Sequence, residues 1–181
     1  MAKSKTASAI TNAVICVAVL LAICVTVGII LSVANKFTAP KIEENQRQKV
    51  IAAMKEVYPE GEEFSEVDIS ALGLPEEITE VYAVNDGGYV FKASVRGYST
   101  GFIIMCGIDA DGKITGTKYI ESKETNGAEG KLSGAYNGLT SDSLSPVIIG
   151  GSTKTSQAYH SAVELSFKSF AILTAGKGDG N

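Results

Sequence analysis

Gly101-Phe102-Ile103-Ile104-Met105-Cys106-Gly107-Ile108 is a strongly apolar run, closed by Asp109-Ala110-Asp111-Gly112 and followed by the β-branched, Tyr-containing stretch Lys113 to Ser122. Apolar and β-branched runs of this length on either side of an Asp/Gly cluster read as two strands joined by a tight turn. Just upstream, Glu80 to Val84 and Gly88 to Val95 flank Asn85-Asp86-Gly87, a second hairpin signal. The centre of the chain therefore reads as an antiparallel meander. Asp-x-Asp-Gly also invites a calcium reading. An EF-hand loop would need an acid where Gly107 sits and a glutamate near Lys118, so the turn is the better reading.

Working outward, Glu60 to Glu80 is acidic, contains Gly73 and Pro75, and reads as a loop with a short apolar element. Before it, Lys36 to Tyr58 reads as a helix interrupted near its start by Pro40. Ile42, Val50, Ile51, Met54 and Val57 lie close to one face, with Glu43, Glu44, Gln46, Arg47 and Lys49 on the others. Tyr58-Pro59-Glu60-Gly61 stops it. Earlier still, residues 13–34 are apolar except for Thr26, Gly28 and Ser32. That matches the roughly 20 residues needed to cross a bilayer. Ser32-Val33-Ala34 has the small-residue look of a signal cleavage site, but the run is longer than the usual signal core of about 7–15 residues, which favours an uncleaved anchor. Basic residues flank it on both sides, so charge leaves its orientation ambiguous.

All 20 acidic residues and 14 of the 16 basic ones follow the apolar run. A mildly acidic domain without a basic stripe argues against nucleic acid as a partner. Three cysteines, with no Cys-x-x-Cys pair, and a single histidine provide no zinc or iron–sulfur ligand set. Cys16 and Cys24 fall within the apolar run and Cys106 within a strand, and His160, on a helix, suits packing better than catalysis.

Beyond the meander, Glu124-Thr125-Asn126-Gly127-Ala128-Glu129-Gly130 opens a polar, Gly-rich stretch to Ser145 that reads as a long loop, and such loops in compact domains are usually functional or disordered. A short apolar run, Pro146 to Ile149, then leads into Gly150-Gly151-Ser152-Thr153-Lys154-Thr155-Ser156. A helix follows, with Tyr159, Ala162, Val163, Phe167 and Phe170 on one side. Taken alone, the hydroxyl cluster is an N-cap. A helix start also presents unpaired N–H groups and a positive dipole end, which suit a phosphate. Thr153 could carry one covalently. A P-loop is a poor match, because Thr153 and Ile148 occupy the places of its second and first glycines.

In order and detail these pieces resemble the flavin-binding G subunit of Rnf ferredoxin:NAD oxidoreductases and, more distantly, the C subunit of sodium-pumping NADH:quinone reductases. The shared features are one N-terminal span, the Thr38-Ala39-Pro40 exit, Gly97-Tyr98 before an apolar strand, Gly107 to Gly116, Glu124-Thr125-Asn126-Gly127 and the hydroxyl-rich loop. Where the family usually reads Glu-Thr-Pro-Gly, Asn126 replaces Pro. Where it reads Ser-Gly-Ala-Thr, Gly150 and Ser152 replace Ser and Ala, and Val147 stands in place of an Asp. The resemblance implies an FMN esterified through its phosphate to Thr153. Gly151 and Ser152 would shape the attachment turn, and Thr155 and Ser156 would donate hydroxyls to the phosphate. Glu124, Thr125 and Gly127 would shape the ring pocket.

The expected architecture is α+β. Residues 1–12 form a short cytoplasmic tail, 13–34 a transmembrane helix and 35–58 a juxtamembrane helix. A small FMN-binding domain at 59–175 follows, with an antiparallel sheet and flanking helices, and 176–181 form a flexible tail. The resemblance implies a single-pass protein of the cell membrane with its C-terminal domain outside the cytoplasm. Its task would be to relay electrons between ferredoxin and NAD within an Rnf-type complex coupled to Na+ or H+ transport, with no independent active site. Partners would be the other subunits of that complex and, during maturation, a flavin-attaching transferase. Two alternatives stay open: a membrane-anchored binding or assembly module without a cofactor, and an FMN-domain carrier of another respiratory chain.

Overall fold

The computed structural model describes residues 2–122 and 127–178, with side chains described at 15, 17–33, 35–36, 47–122 and 127–176. Helix α1 (Ala2–Val57) is followed by strands β1 (Phe64–Glu66), β2 (Ile78–Val84), β3 (Tyr89–Val95), β4 (Phe102–Ile108) and β5 (Ile114–Glu121). Then come the short helix α2 (Ala128–Leu132), a 3-10 turn (Ser141–Ser143) and the long helix α3 (Thr153–Gly178). The chain forms two compact units, residues 1–47 and 48–181.

In the first unit, α1 runs through Pro40 without a break. The side chains from Ile15 to Val33 that are described, Leu20, Leu21, Ile23, Ile29 and Leu31 among them, are exposed around the helix. Among the described residues, no helix is long and apolar enough to cross a membrane.

In the second unit the meander forms as the sequence predicts. It is a five-stranded antiparallel sheet in the order β1-β2-β3-β4-β5. The added strand, β1, is three residues in the acidic stretch, paired as Phe64↔Val84 and Glu66↔Tyr82. It carries too short an alternation to be visible as a strand in sequence. Successive side chains of a strand point to opposite faces. Tyr89, Phe91, Ala93, Val95, Phe102, Ile104, Cys106 and Ile108 pack beneath α3 with Tyr159, Ala162 and Val163. Val90 and Met105 face the other way, onto Ala53, Met54, Val57 and Tyr58. The sheet is thus covered on both faces. Of the face expected on residues 36–58, Met54 and Val57 are buried and Val50 partly so, whereas Ile51 points outward; Ile42 lies outside the described side chains.

The last carbonyl of α1 sits on a glycine floor. Thr115 Oγ1 donates to Val57 O at 2.6 Å. A Cβ built on Gly116 would lie 2.6 Å from that oxygen and 2.7 Å from Val57 Cα, and one on Gly107 would lie 2.7 Å from the oxygen. Tyr58 OH donates to Asp86 Oδ2 at 2.7 Å, which ties the helix end to the first hairpin turn. Burial, reinforced by that carboxylate, pushes the Tyr58 phenol up, so it stays a donor. The second turn is held by Asp109 Oδ1, which accepts the N–H groups of Asp111 at 3.0 Å and Lys113 at 2.8 Å. Among the described residues, no group of three or more His, Cys, Asp or Glu is placed to hold a metal.

On β2, Glu80 accepts from Lys92 Nζ and, at 2.6 Å, from Tyr82 OH. Burial works to raise the Glu80 carboxyl, but the hydrogen bonds from Lys92 and Tyr82 and the Lys92 charge outweigh it and hold the group below its ordinary value. Because the folded value lies below the unfolded one, the stabilisation is fully present above the ordinary carboxylate value of about 4.3 and fades as pH falls through the folded value. A Lys92→Met chain is therefore expected to lose less stability than the parent between about pH 5 and pH 3. Urea midpoints across that range measure it; parallel losses in the two proteins would refute the coupling.

Candidate functional site

Three segments singled out in the sequence meet at one end of the sheet. The pairings Val95↔Phe102 and Ile103↔Glu121 bring the end of β3, the start of β4 and the end of β5 together. The 96–101 loop and the exit from β5 toward Gly127 therefore share that end. Helix α3 is oriented by two ring contacts at 6.1 Å: Tyr159 on Phe102, and Phe170 on Tyr89. Its N-terminus, with Thr153, consequently points to the same end.

The turn into α3 is built from its glycine and hydroxyls. Gly151 has φ 80°, a left-handed conformation that other L-residues adopt at a cost, and no protein atom lies within 4 Å of where its Cβ would be. Ser152 donates its N–H to Ile149 O at 3.0 Å and accepts from Ser156 N at 2.9 Å, so it occupies the N-cap position. Ser152, Thr155 and Ser156 are buried, while Thr153 and Lys154 are exposed. Of the hydroxyls in this turn, that of Thr153 is the one at the surface, on the first residue of a helix.

Ser156 is fully buried, and its Oγ accepts the Ile149 N–H at 3.0 Å. It holds the strand-like approach against the helix it belongs to. Ser156→Ala leaves the part-buried Ile149 N–H unpaired and is expected to destabilise the chain by about 1 kcal/mol. Chemical denaturation measures it; a change below roughly 0.3 kcal/mol would show the turn to be independent of that bond.

Gly127 stands at the start of α2 with φ 60°. Helix α2 packs on β5 and α3, which brings Gly127 and the α3 turn to neighbouring elements. Glu124 and Thr125 lie outside the described residues.

The sequence placed Tyr159 on the apolar side of the last helix but did not single out Tyr136 or Glu129. The Tyr136 ring stacks on Tyr159 with centroids 5.9 Å apart and lies 5.8 Å from the His160 ring, and its hydroxyl accepts the Val147 N–H at 3.2 Å. Tyr136 thereby clamps the approach to Gly150 onto α3. Burial pushes the Tyr136 phenol up against the opposing pull of the Val147 N–H, and burial likewise raises Tyr159 although Thr117 and Ser133 lie beside its hydroxyl. Both phenols stay neutral. An aromatic residue in a Gly-rich stretch was the available signal for Tyr136; nothing in the local sequence marks Glu129.

Among the described residues, the buried side-chain polar atoms Glu129 Oε2 and His160 Nδ1 have no hydrogen-bond partner, whereas the Tyr159 hydroxyl is within hydrogen-bond reach of Thr117 and Ser133. One belongs to α2 and the other to α3. Buried polar groups are normally paired, so an orphan group beside a candidate site points to a missing polar partner. A ligand bearing a phosphate, several hydroxyls and ring N–H groups fits such a site: an exposed threonine at a helix start for the phosphate, and unsatisfied polar atoms for the rest.

Residues 97–168 match the model of the FMN-binding domain family, which makes this a flavin-binding domain. The chain is 33% identical over 175 residues to the G subunit of the Na(+)-translocating ferredoxin:NAD(+) oxidoreductase complex of Acetobacterium woodii, covering 80% of this chain and 84% of that one. It is 26% identical over 121 residues to the G subunit of the ion-translocating oxidoreductase complex of Stutzerimonas stutzeri, covering 61% of this chain and 51% of that one. The chain belongs to the family of G subunits of Rnf-type ion-translocating oxidoreductase complexes, and its cofactor is FMN.

Proposed function

We propose that this chain is the membrane-anchored, FMN-carrying electron relay of an Rnf-type ferredoxin:NAD oxidoreductase coupled to Na+ or H+ transport, with its flavin esterified to Thr153. The observation that carries this reading is the exposed Thr153, the first residue of α3, at the sheet end where the 96–101 loop also lies. When bound, FMN supplies one- and two-electron redox chemistry. The chain's own residues do the rest. Thr153 Oγ1 holds the phosphate, so the tether leaves the ring free of covalent modification. The N-terminal end of α3 stabilises the phosphate charge. Gly151 and Ser152 set the turn, Thr155 and Ser156 support it, and Glu124, Thr125 and Gly127 shape the ring pocket.

The proposed anchor is residues 13–34, with 1–12 as the cytoplasmic tail, 35–58 the juxtamembrane helix and 59–175 the FMN domain outside the cytoplasm. The exposed apolar side chains from Ile15 to Val33 support it, since a helix apolar on all sides belongs in an apolar medium. The proposed partners are the other subunits of the complex and a flavin-attaching transferase during maturation.

Peptide mass spectrometry tests the central claim. In protein made alongside the transferase, the Thr153 peptide should gain the mass of FMN less one water. An unshifted peptide defeats the covalent claim, and cleavage by external protease in intact cells tests the orientation.

A further inference from the structure

The carboxylate of Glu129 has no evident structural use. Ala128, Glu129 and Leu132 are the buried residues of α2, and the elements packed against α2 are β5 and α3. Leu132 belongs to the apolar cluster shared with Ala158 and Tyr159. Glu129 is 8% exposed and its Oε2 has no hydrogen-bond partner. The groups nearest in the chain do not serve it: Ser133 Oγ donates to the Glu129 backbone carbonyl at 3.2 Å. Lys131 is in the last turn of α2 and makes no ion pair among the described residues. A buried carboxylate oxygen left unpaired is costly, and folding alone gives no reason to keep it.

Glu129 sits two residues past Gly127, on α2. We propose that Glu129 is a flavin-positioning residue whose Oε2 accepts a hydrogen bond from an N–H or O–H donor of the bound FMN. An FMN offers two kinds of donor, the imide N–H of its ring and the hydroxyls of its ribityl chain. Either one would satisfy the orphan oxygen, and no further acceptor chemistry is required. The assignment rests on the FMN reading of the site. It adds a residue that lies outside the attachment turn and outside Glu124, Thr125 and Gly127.

The test uses the full chain in detergent, produced without the transferase, titrated with FMN, riboflavin and lumiflavin and followed by flavin fluorescence. Glu129→Leu, which removes the acceptor, is expected to weaken FMN about tenfold, the usual scale for losing a hydrogen bond to a charged group, and Glu129→Gln, which keeps a neutral carbonyl acceptor, by less. The same loss with lumiflavin, which lacks the ribityl chain, assigns the ring N–H; a loss with FMN and riboflavin but not with lumiflavin assigns a ribityl hydroxyl. A second readout separates positioning from scaffolding. Thermal midpoints of the flavin-free variants are expected to equal or exceed that of the parent, because an unpaired buried charge has been removed. Equal FMN affinity in parent and variants overturns the assignment to Glu129, as does a weakened variant whose flavin-free midpoint falls sharply. If the parent binds no flavin at all, the FMN reading itself fails, an outcome distinct from either.

Discussion

A Thr153→Val chain is expected to carry no covalent flavin, even when made beside the transferase, while keeping its fold. Thr153 is exposed, so the substitution should change stability by no more than about 0.5 kcal/mol. The functional loss should be far larger. A tether holds its ligand at an effective concentration on the order of millimolar, so with free FMN at about 10 μM the flavin-dependent electron flow should fall roughly a hundredfold. Thr153→Ser keeps the hydroxyl and should restore loading at least in part. The measurements are the mass of the Thr153 peptide and the flavin retained after denaturing gel filtration. A valine protein that holds flavin through denaturation places the attachment elsewhere.

The largest expected effect on stability is at Gly116. Its missing side chain makes room for the end of α1, whose Val57 carbonyl oxygen would lie 2.6 Å from an added Cβ. The obstructing atoms are backbone, and Thr115 fixes the same carbonyl, so neither side can yield as a flexible side chain would. Gly116→Val should therefore destabilise residues 48–181 by about 3 kcal/mol or more. That corresponds to a fall of roughly 10 °C in Tm. Calorimetry of the parent and variant decides it. Gly150→Ala, where no protein atom lies within 4 Å of the added Cβ, is the natural control.

The meander was legible because each strand is bounded by turn residues with a specific backbone use. Asn85-Asp86-Gly87 and Asp109 to Gly112 fix the hairpins, and the alternation between them assigns the two faces. β1 was not legible, since three residues of mixed polarity take their pairing from β2 and not from their own pattern. The covering of both faces was also hidden: Met54 and Val57 could be read as one stripe, but not which sheet surface receives it. At the site, the Gly151-to-Ser156 turn announced itself through composition. Its supports did not. Tyr136 reaches Val147, just ahead of the turn, only because the chain folds back between β5 and α3, and a long loop has no period from which such a return could be read.

Cys106 acquires a different meaning in a protein that handles electrons. It lies on the α3 side of β4, fully enclosed, and burial pushes its thiol up to about 12 against the pull of Ser166. Thiolates, not thiols, meet oxidants and alkylating reagents. The folded sheet thus conceals a chemically silent sulfur, and modification of Cys106 requires the domain to open first. Its labelling rate is a built-in clock for that opening, and a ligand that binds only the folded domain slows it.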